Sequence, residues 1–291
     1  MDFKNAQELL ELCKKENCPI SSIMKKRECI LSETTEEAIT AQMDHSLKIM
    51  RESVAAPIQS PKKSIGGLIG GEAQLIDQHR RSGNSICGSV LSRAIAYSMA
   101  VLETNTSMGL IVAAPTAGSS GVLPGLLLAL QEEYHLSDTV VIDALFNAGA
   151  IGYLAMRNAT VAGAVGGCQA EVGVASSMAA SAAVELMGGT PEQCLHAAVS
   201  VLMNFLGLVC DPIGGLVECP CQGRNAAGVA VALTGAELAL SGVKQLIPFD
   251  EMLQTMYQVG KQIPPGLRET ALGGCAATPA GKKLGCSICH K

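Results

Sequence analysis

From residue 73 to residue 243 the chain is built mainly from Ala, Gly, Ser, Val, Leu and Met, with few charges and no recurring apolar–polar alternation. A half-buried strand needs that alternation, and a parallel sheet needs β-branched runs interleaved with helices. Neither pattern is present. Ala, Leu and Met favour helix. Segments such as ASSMAASAAVELMGG, CLHAAVSVLMNFLGLVC and NAAGVAVALTGAELALSG therefore predict helices whose small side chains let neighbours pack closely. Helices are expected at roughly 86–104, 121–135, 139–162, 171–188, 191–208, 225–241 and 249–260. The fold class that follows is all-α, a helical domain with buried Ala/Gly-rich central helices.

The N-terminal part, 1–56, also reads as helical. In 6–16, Leu9, Leu10, Leu12 and Cys13 form an apolar face among Lys and Glu. A further helix follows, capped by Ser32 or Thr34, with Glu36 and Glu37 favouring its N-terminal dipole. Residues 57–72 (PIQSPKKSIGGLIGGE) read as a Gly/Pro loop without the GxxxxGK(S/T) spacing of a phosphate-binding loop. Residues 282–291 read as a C-terminal tail, and 1–291 as a single domain.

With 48% hydrophobic and only 16% charged residues, much of the chain must be buried in its own core or against another subunit. A net charge of −5, 3% aromatics and no Trp argue against a nucleic-acid partner, which needs a basic face or stacking platforms. The N-terminus is amphipathic and lacks the apolar core of a secretory signal. The most apolar stretches carry Asp143, Asn147 and Arg157, and then Glu185, which are costly at bilayer depth. The expectation is a cytoplasmic protein with no membrane partner, whose 12 Cys are core thiols, redox sites or metal ligands.

Chemistry concentrates in the joints between helices: APTAGSSG, VGGCQAE, CDPIGGLVECPCQGRN and TALGGCAATPAG. Cys168, Cys210 and Cys221 sit there, but their spacing is unlike compact CxxC metal motifs and leaves buried thiols and metal ligands both open. No Lys lies between Lys63 and Lys244, so the Gly-rich core offers no Schiff-base lysine for pyridoxal phosphate. Of the five His, none of His45, His79, His135, His196 and His290 sits in a catalytic motif.

The stretches GGLIGGEA (66–73), SMGLIVAAPTAGSSGVLPG (107–125), GGCQAEVGVASSMAA (166–180), CDPIGGLVECPCQGRNA (210–226) and TALGGCAATPAG (270–281) resemble the alpha subunit of bacterial iron–sulfur L-serine dehydratase. The resemblance covers nearly the whole chain. It implies a 4Fe–4S cluster held by Cys168, Cys210 and Cys221, no pyridoxal phosphate, and a lyase (L-serine ammonia-lyase) of amino-acid catabolism that feeds gluconeogenesis. Cys219 departs from the family's usual apolar residue, and Cys275 is a weaker candidate ligand. In related single-chain enzymes a C-terminal Cys caps the fourth iron, a role open here to Cys286 or Cys289.

Three protein sulfurs leave one iron with an open position, which suits a Lewis acid for the serine hydroxyl better than a closed electron carrier. L-serine would lose water to an aminoacrylate and end as pyruvate and ammonia. The resemblance implies a beta subunit carrying an SSHT-x-GP loop, absent here, so the α-proton base is expected from that partner in a heterodimer. Thr116, Ser119 and Ser120, with Arg224 and Asn225 after Cys221, are the expected contacts to substrate. Two alternatives remain open: a cysteine desulfidase-like lyase on the same scaffold, and a non-catalytic iron–sulfur redox or sensor protein.

Overall fold

Asn5 starts the first helix by accepting a hydrogen bond from the Glu8 amide, and a left-handed Asn17 ends it. The fold is that of a computed structural model, which describes residues 2–289, the last of them by its backbone alone. The helices are α1 (Ala6–Glu16), α2 (Ile20–Leu31), α3 (Glu36–Gln59), α4 (Glu72–Arg81), α5 (Gly88–Thr106), α6 (Val122–Tyr134) and α7 (Asp138–Asn158). They continue as α8 (Gly163–Gly166), α9 (Val174–Leu186), α10 (Pro191–Phe205), α11 (Cys221–Leu240), α12 (Phe249–Gln262), α13 (Gly274–Ala277) and α14 (Pro279–Cys289). No strand occurs among the described residues, only an isolated bridge between Cys210 and Arg268. The all-α expectation therefore holds.

Local differences have local causes. Thr35, not Ser32 or Thr34, caps α3, because the Thr34 amide is spent closing the end of α2 on the Cys29 carbonyl. Helix α3 runs on through Pro57 to Gln59, so the Gly/Pro loop begins later than expected. Helix α4 was not expected. It buries only Ala73 and Asp77, too narrow a stripe to show as a period, and Asp77 pairs with Arg80 and Arg81, both at 2.6 Å. The expected tail at 282–291 is helical through Cys289.

The core is layered around α9, whose side chains from Val174 to Val184 are all buried between α6, α7, α10 and α11. Small residues make this possible. A Cβ at Gly228 of α11 would lie 2.7 Å from Ser176 Oγ of α9, so only a bare backbone fits there. Among the described residues one helix, α7, is long and apolar enough to cross a membrane by composition alone; here Ile151 and Leu154 are wholly buried in the protein core. Helices α2 and α9 cover it. Asn147 sits at that packed interface, where its amide nitrogen donates to Glu185 (2.7 Å) and its oxygen accepts from Ser181 (2.6 Å).

Candidate metal centre

Three segments distant in sequence meet beside the core, and two polar side chains fasten them. Between α8 and α9 the chain makes a π-helical turn, Gln169–Gly173, a distortion frequent at functional sites. Cys168 stands just before it. Gln169 donates to the Met256 carbonyl (2.9 Å) and accepts from the Gly207 amide (2.9 Å), while its own amide reaches the Leu208 carbonyl (3.1 Å). These bonds hold Cys168 against the segment leading to Cys210. Gly167 (φ 76°) is required there, because a Cβ would lie 2.7 Å from the Leu208 carbonyl oxygen.

The second fastener is Arg224, one turn after Cys221 on α11. Its guanidinium donates to the Val209 carbonyl (2.9 Å) and pairs with Asp211 (2.7 Å), the residues flanking Cys210. Cys210 itself is pinned from the other side, its amide on the Leu267 carbonyl (2.9 Å) and its carbonyl under the Glu269 amide (2.7 Å). Asp211 also accepts from the Cys275 amide (2.5 Å), drawing in the TALGGCAATP loop. The cysteines are buried: Cys168 and Cys210 are 3% exposed and Cys221 7%.

The three sulfurs influence one another's charge. The adjacent Cys210 thiol, and then the nearby Arg224, hold Cys168 below the ordinary thiol range. Cys210 is pushed far up by its neighbour Cys168 and by burial. Burial, with Cys168 close by, raises Cys221 to about 12. Among the described residues, no three His, Cys, Asp or Glu side chains converge tightly enough to grip a single metal ion. A cluster of several irons is a larger body and takes its cysteines at wider spacing. Buried soft sulfurs with the Arg224 cation beside them are the donor set such a cluster needs.

Sequence reasoning missed Glu171. One of its carboxyl oxygens accepts from Thr116 Oγ1 (2.9 Å), and the other lies 3.7 Å from Cys210 Sγ. Burial pushes its carboxyl above the usual range. Gly163 leaves it room, since a Cβ there would touch both Glu171 and the Cys210 sulfur. The available signal was an acid one turn after Cys168 in an otherwise apolar run. Glu218 was missed too. Its buried carboxylate accepts from Ser64 Oγ (2.6 Å) and the amides of Gly66 (2.7 Å) and Leu68 (2.9 Å), fixing the Gly-rich loop beside the Cys221 turn.

Among the residues expected at the substrate, Thr116 faces the centre through Glu171, and Ser119 Oγ lies 3.1 Å from Thr116 Oγ1. Ser120 donates to the Ala117 carbonyl within its own turn (2.8 Å). Asn225 is wholly buried and fully used: it donates to the carbonyls of Gly118 (2.8 Å) and Cys221 (2.9 Å) and accepts from the Gly121 amide (3.0 Å). Asn225 and Arg224 thus tie the loops together. Helix α14 packs on the turn between Cys210 and Cys221, with Gly285 against Gly214, and Cys286 is exposed beside that contact. The side chain of Cys289 and the whole of His290 lie outside the described residues. His196 is engaged elsewhere, accepting from the Gln245 amide (3.2 Å).

The family model described as "Serine dehydratase alpha chain" matches residues 15–276. The chain is 46% identical over 282 residues to the "Probable L-serine dehydratase, alpha chain" of Bacillus subtilis, covering 97% of this chain and 94% of that protein. It is 44% identical to the "L-serine dehydratase, alpha chain" of Peptoniphilus asaccharolyticus, covering 97% of each. The "L-serine dehydratase" of Helicobacter pylori is 37% identical, but there 95% of this chain spans only 62% of the relative. With the matches running through every segment of the cysteine centre, this chain belongs to the serine dehydratase alpha chain family.

Proposed function

We propose that this chain is the cluster-bearing subunit of an L-serine ammonia-lyase, with Cys168, Cys210 and Cys221 holding a 4Fe–4S cluster and a second subunit completing the active site. The observation that carries the reading is the convergence of three buried cysteines, fastened by Gln169 and Arg224, beside the Thr116–Glu171 pair. When bound, such a cluster supplies a Lewis-acidic iron able to polarise a hydroxyl leaving group. The chain's own groups do the rest of the local work. Arg224 balances thiolate charge and holds the Cys210 loop to α11. Thr116 and Ser119 offer hydroxyls for the substrate carboxylate or hydroxyl, and Glu171 orients Thr116. Burial of all three sulfurs keeps bulk water from them. Cys286, on a helix docked against the 213–215 turn, or Cys289 after it, is the proposed resting-state cap of a fourth iron. A reducing cytoplasm is the compartment in which these thiols would persist.

The test is anaerobic reconstitution of the co-expressed two-subunit complex with iron and sulfide, followed by iron analysis and a serine turnover assay for pyruvate. Each of Cys168→Ser, Cys210→Ser and Cys221→Ser should lose iron and lower serine turnover by roughly 100-fold or more. Cys87→Ser, at an exposed thiol, should behave as the parent. Full iron content and activity in any of the three variants overturns the assignment of that ligand. Faster elimination from L-cysteine than from L-serine overturns the substrate.

A further inference from the structure

The stretch between the end of α5 and the Thr116 loop is peculiar for a helical protein. Residues 109–113 run without helix, turn or bend before the chain bends at Ala114–Pro115, and none of the backbone amides or carbonyls of 110–114 has a hydrogen-bond partner among the described residues. Helix α5 ends with the Gly109 amide on the Thr104 carbonyl (2.8 Å), after Met108 has turned into the left-handed region (φ 64°). That turn sends the Met108 side chain outward, 76% exposed, next to Leu110 at 68%. The Ile65 amide donates to the Thr106 carbonyl (2.9 Å), which sets Ile65, 62% exposed, beside the same strip. An unpaired backbone bordered by large apolar side chains is a ready template for another strand.

We propose that residues 109–114, flanked by Met108 and Ile65, form the docking edge for an extended segment of the second subunit of the dehydratase. The inference rests on the two-subunit reading above. Three observations choose this occupant. The strip demands an extended backbone, and the described residues of this chain contain no strand to supply one. It leads through the bend at Ala114–Pro115 to Thr116, so whatever pairs with it lies near the rim of the cysteine centre. The Helicobacter pylori relative is matched over only 62% of its length, and that unmatched remainder is the length a separate subunit would supply here. Pairing would satisfy the open main-chain groups and cover Leu110, Met108 and Ile65 in one step, since buried backbone groups need partners.

The test compares hydrogen exchange, read by mass spectrometry, in this chain alone and in its co-expressed complex with the beta subunit. Amides 110–114 should exchange about 10-fold or more slowly in the complex. Leu110→Lys should weaken the complex by roughly 100-fold while keeping the helical circular dichroism and bound iron of the parent. Leu246→Lys, at a 97% exposed position away from this strip, should bind as the parent does. Unchanged exchange in the complex, or parent-like binding by Leu110→Lys, overturns the proposal. So does concentration-dependent protection of these amides in the isolated chain, which would mean pairing between two copies. A complex that turns over serine with these amides unprotected sinks the docking edge alone. A protected complex that eliminates nothing from serine sinks the proposed activity and leaves the edge standing.

Discussion

Two half-buried carboxylates, Glu171 and Glu185, sit in the most apolar part of the chain, and burial pushes both above the ordinary carboxyl range. For Glu185 the bonds from Asn147 and from the Ser21 amide only partly offset that burial, and its second oxygen has no partner. A carboxyl whose folded value exceeds its unfolded value of about 4.3 binds protons more tightly in the native state. Its stabilising effect is therefore complete below the unfolded value and is lost as pH rises through the folded one. Glu185→Gln should flatten that loss, with a urea midpoint above the parent's at pH about 8 and little advantage at pH about 4. Urea titrations followed by circular dichroism across this range decide it: parallel pH profiles for parent and variant would clear Glu185 of the effect. The cysteines at the centre were legible as residues, since their Gly/Pro neighbours and family motifs marked them. Glu171 was not, because an acid next to a helix start ordinarily reads as a dipole partner or a solvated charge.

Among the elements, the Gly-rich loop 64–71 gains its shape from outside itself. Its Ser64 hydroxyl and its Gly66 and Leu68 amides all converge on Glu218, a residue of the turn that leads into Cys221. The next anchor is Glu103, which accepts from the amides of Gly71 (2.9 Å) and Ala73 (2.8 Å) and from Gln222 (3.0 Å), again beside Cys221. The loop thus behaves as a clamp on the N-terminus of α11. Glu218→Ala should free the Gly66 and Leu68 amides to exchange and lower unfolding stability by about 2 kcal/mol, since it removes charge-assisted bonds from buried donors. Exchange mass spectrometry with a urea titration reads both, and unchanged protection at residues 66–68 would show that the loop holds itself. The helices of the central layer were foreseeable from Ala, Leu and Met content. Helix α4 was not, since its stability comes from the Glu103 anchor and from Asp77 pairing with Arg80 and Arg81, which a hydrophobic period does not register.

For the molecule as a whole, the cysteine centre sits at one edge of the helical core, walled by loops and bordered by an open strip. On the proposed reading, that edge carries the cluster ligands while the α-proton base comes from the second subunit. The isolated chain, reconstituted anaerobically, should therefore bind iron but turn over serine at least about 100-fold more slowly than the complex. Full activity from the isolated chain would show that this chain carries its own base. By itself, the sequence determined the helical class, because a long Ala/Gly/Leu-rich run without alternation can bury its backbone only by pairing it internally in helices. It also marked the three cysteines, through motifs that resemble those of a known family, whereas their spacing alone left buried thiols and metal ligands both open. Only the tertiary structure decided that Cys168, Cys210 and Cys221 are buried close enough to influence one another's charge, that Arg224 and Asn225 serve as ties, and that Glu171 and Glu218 reach across from other segments. Those outcomes depend on contacts between residues tens of positions apart, and hydrogen-bond partners chosen by packing leave no periodic trace in the chain.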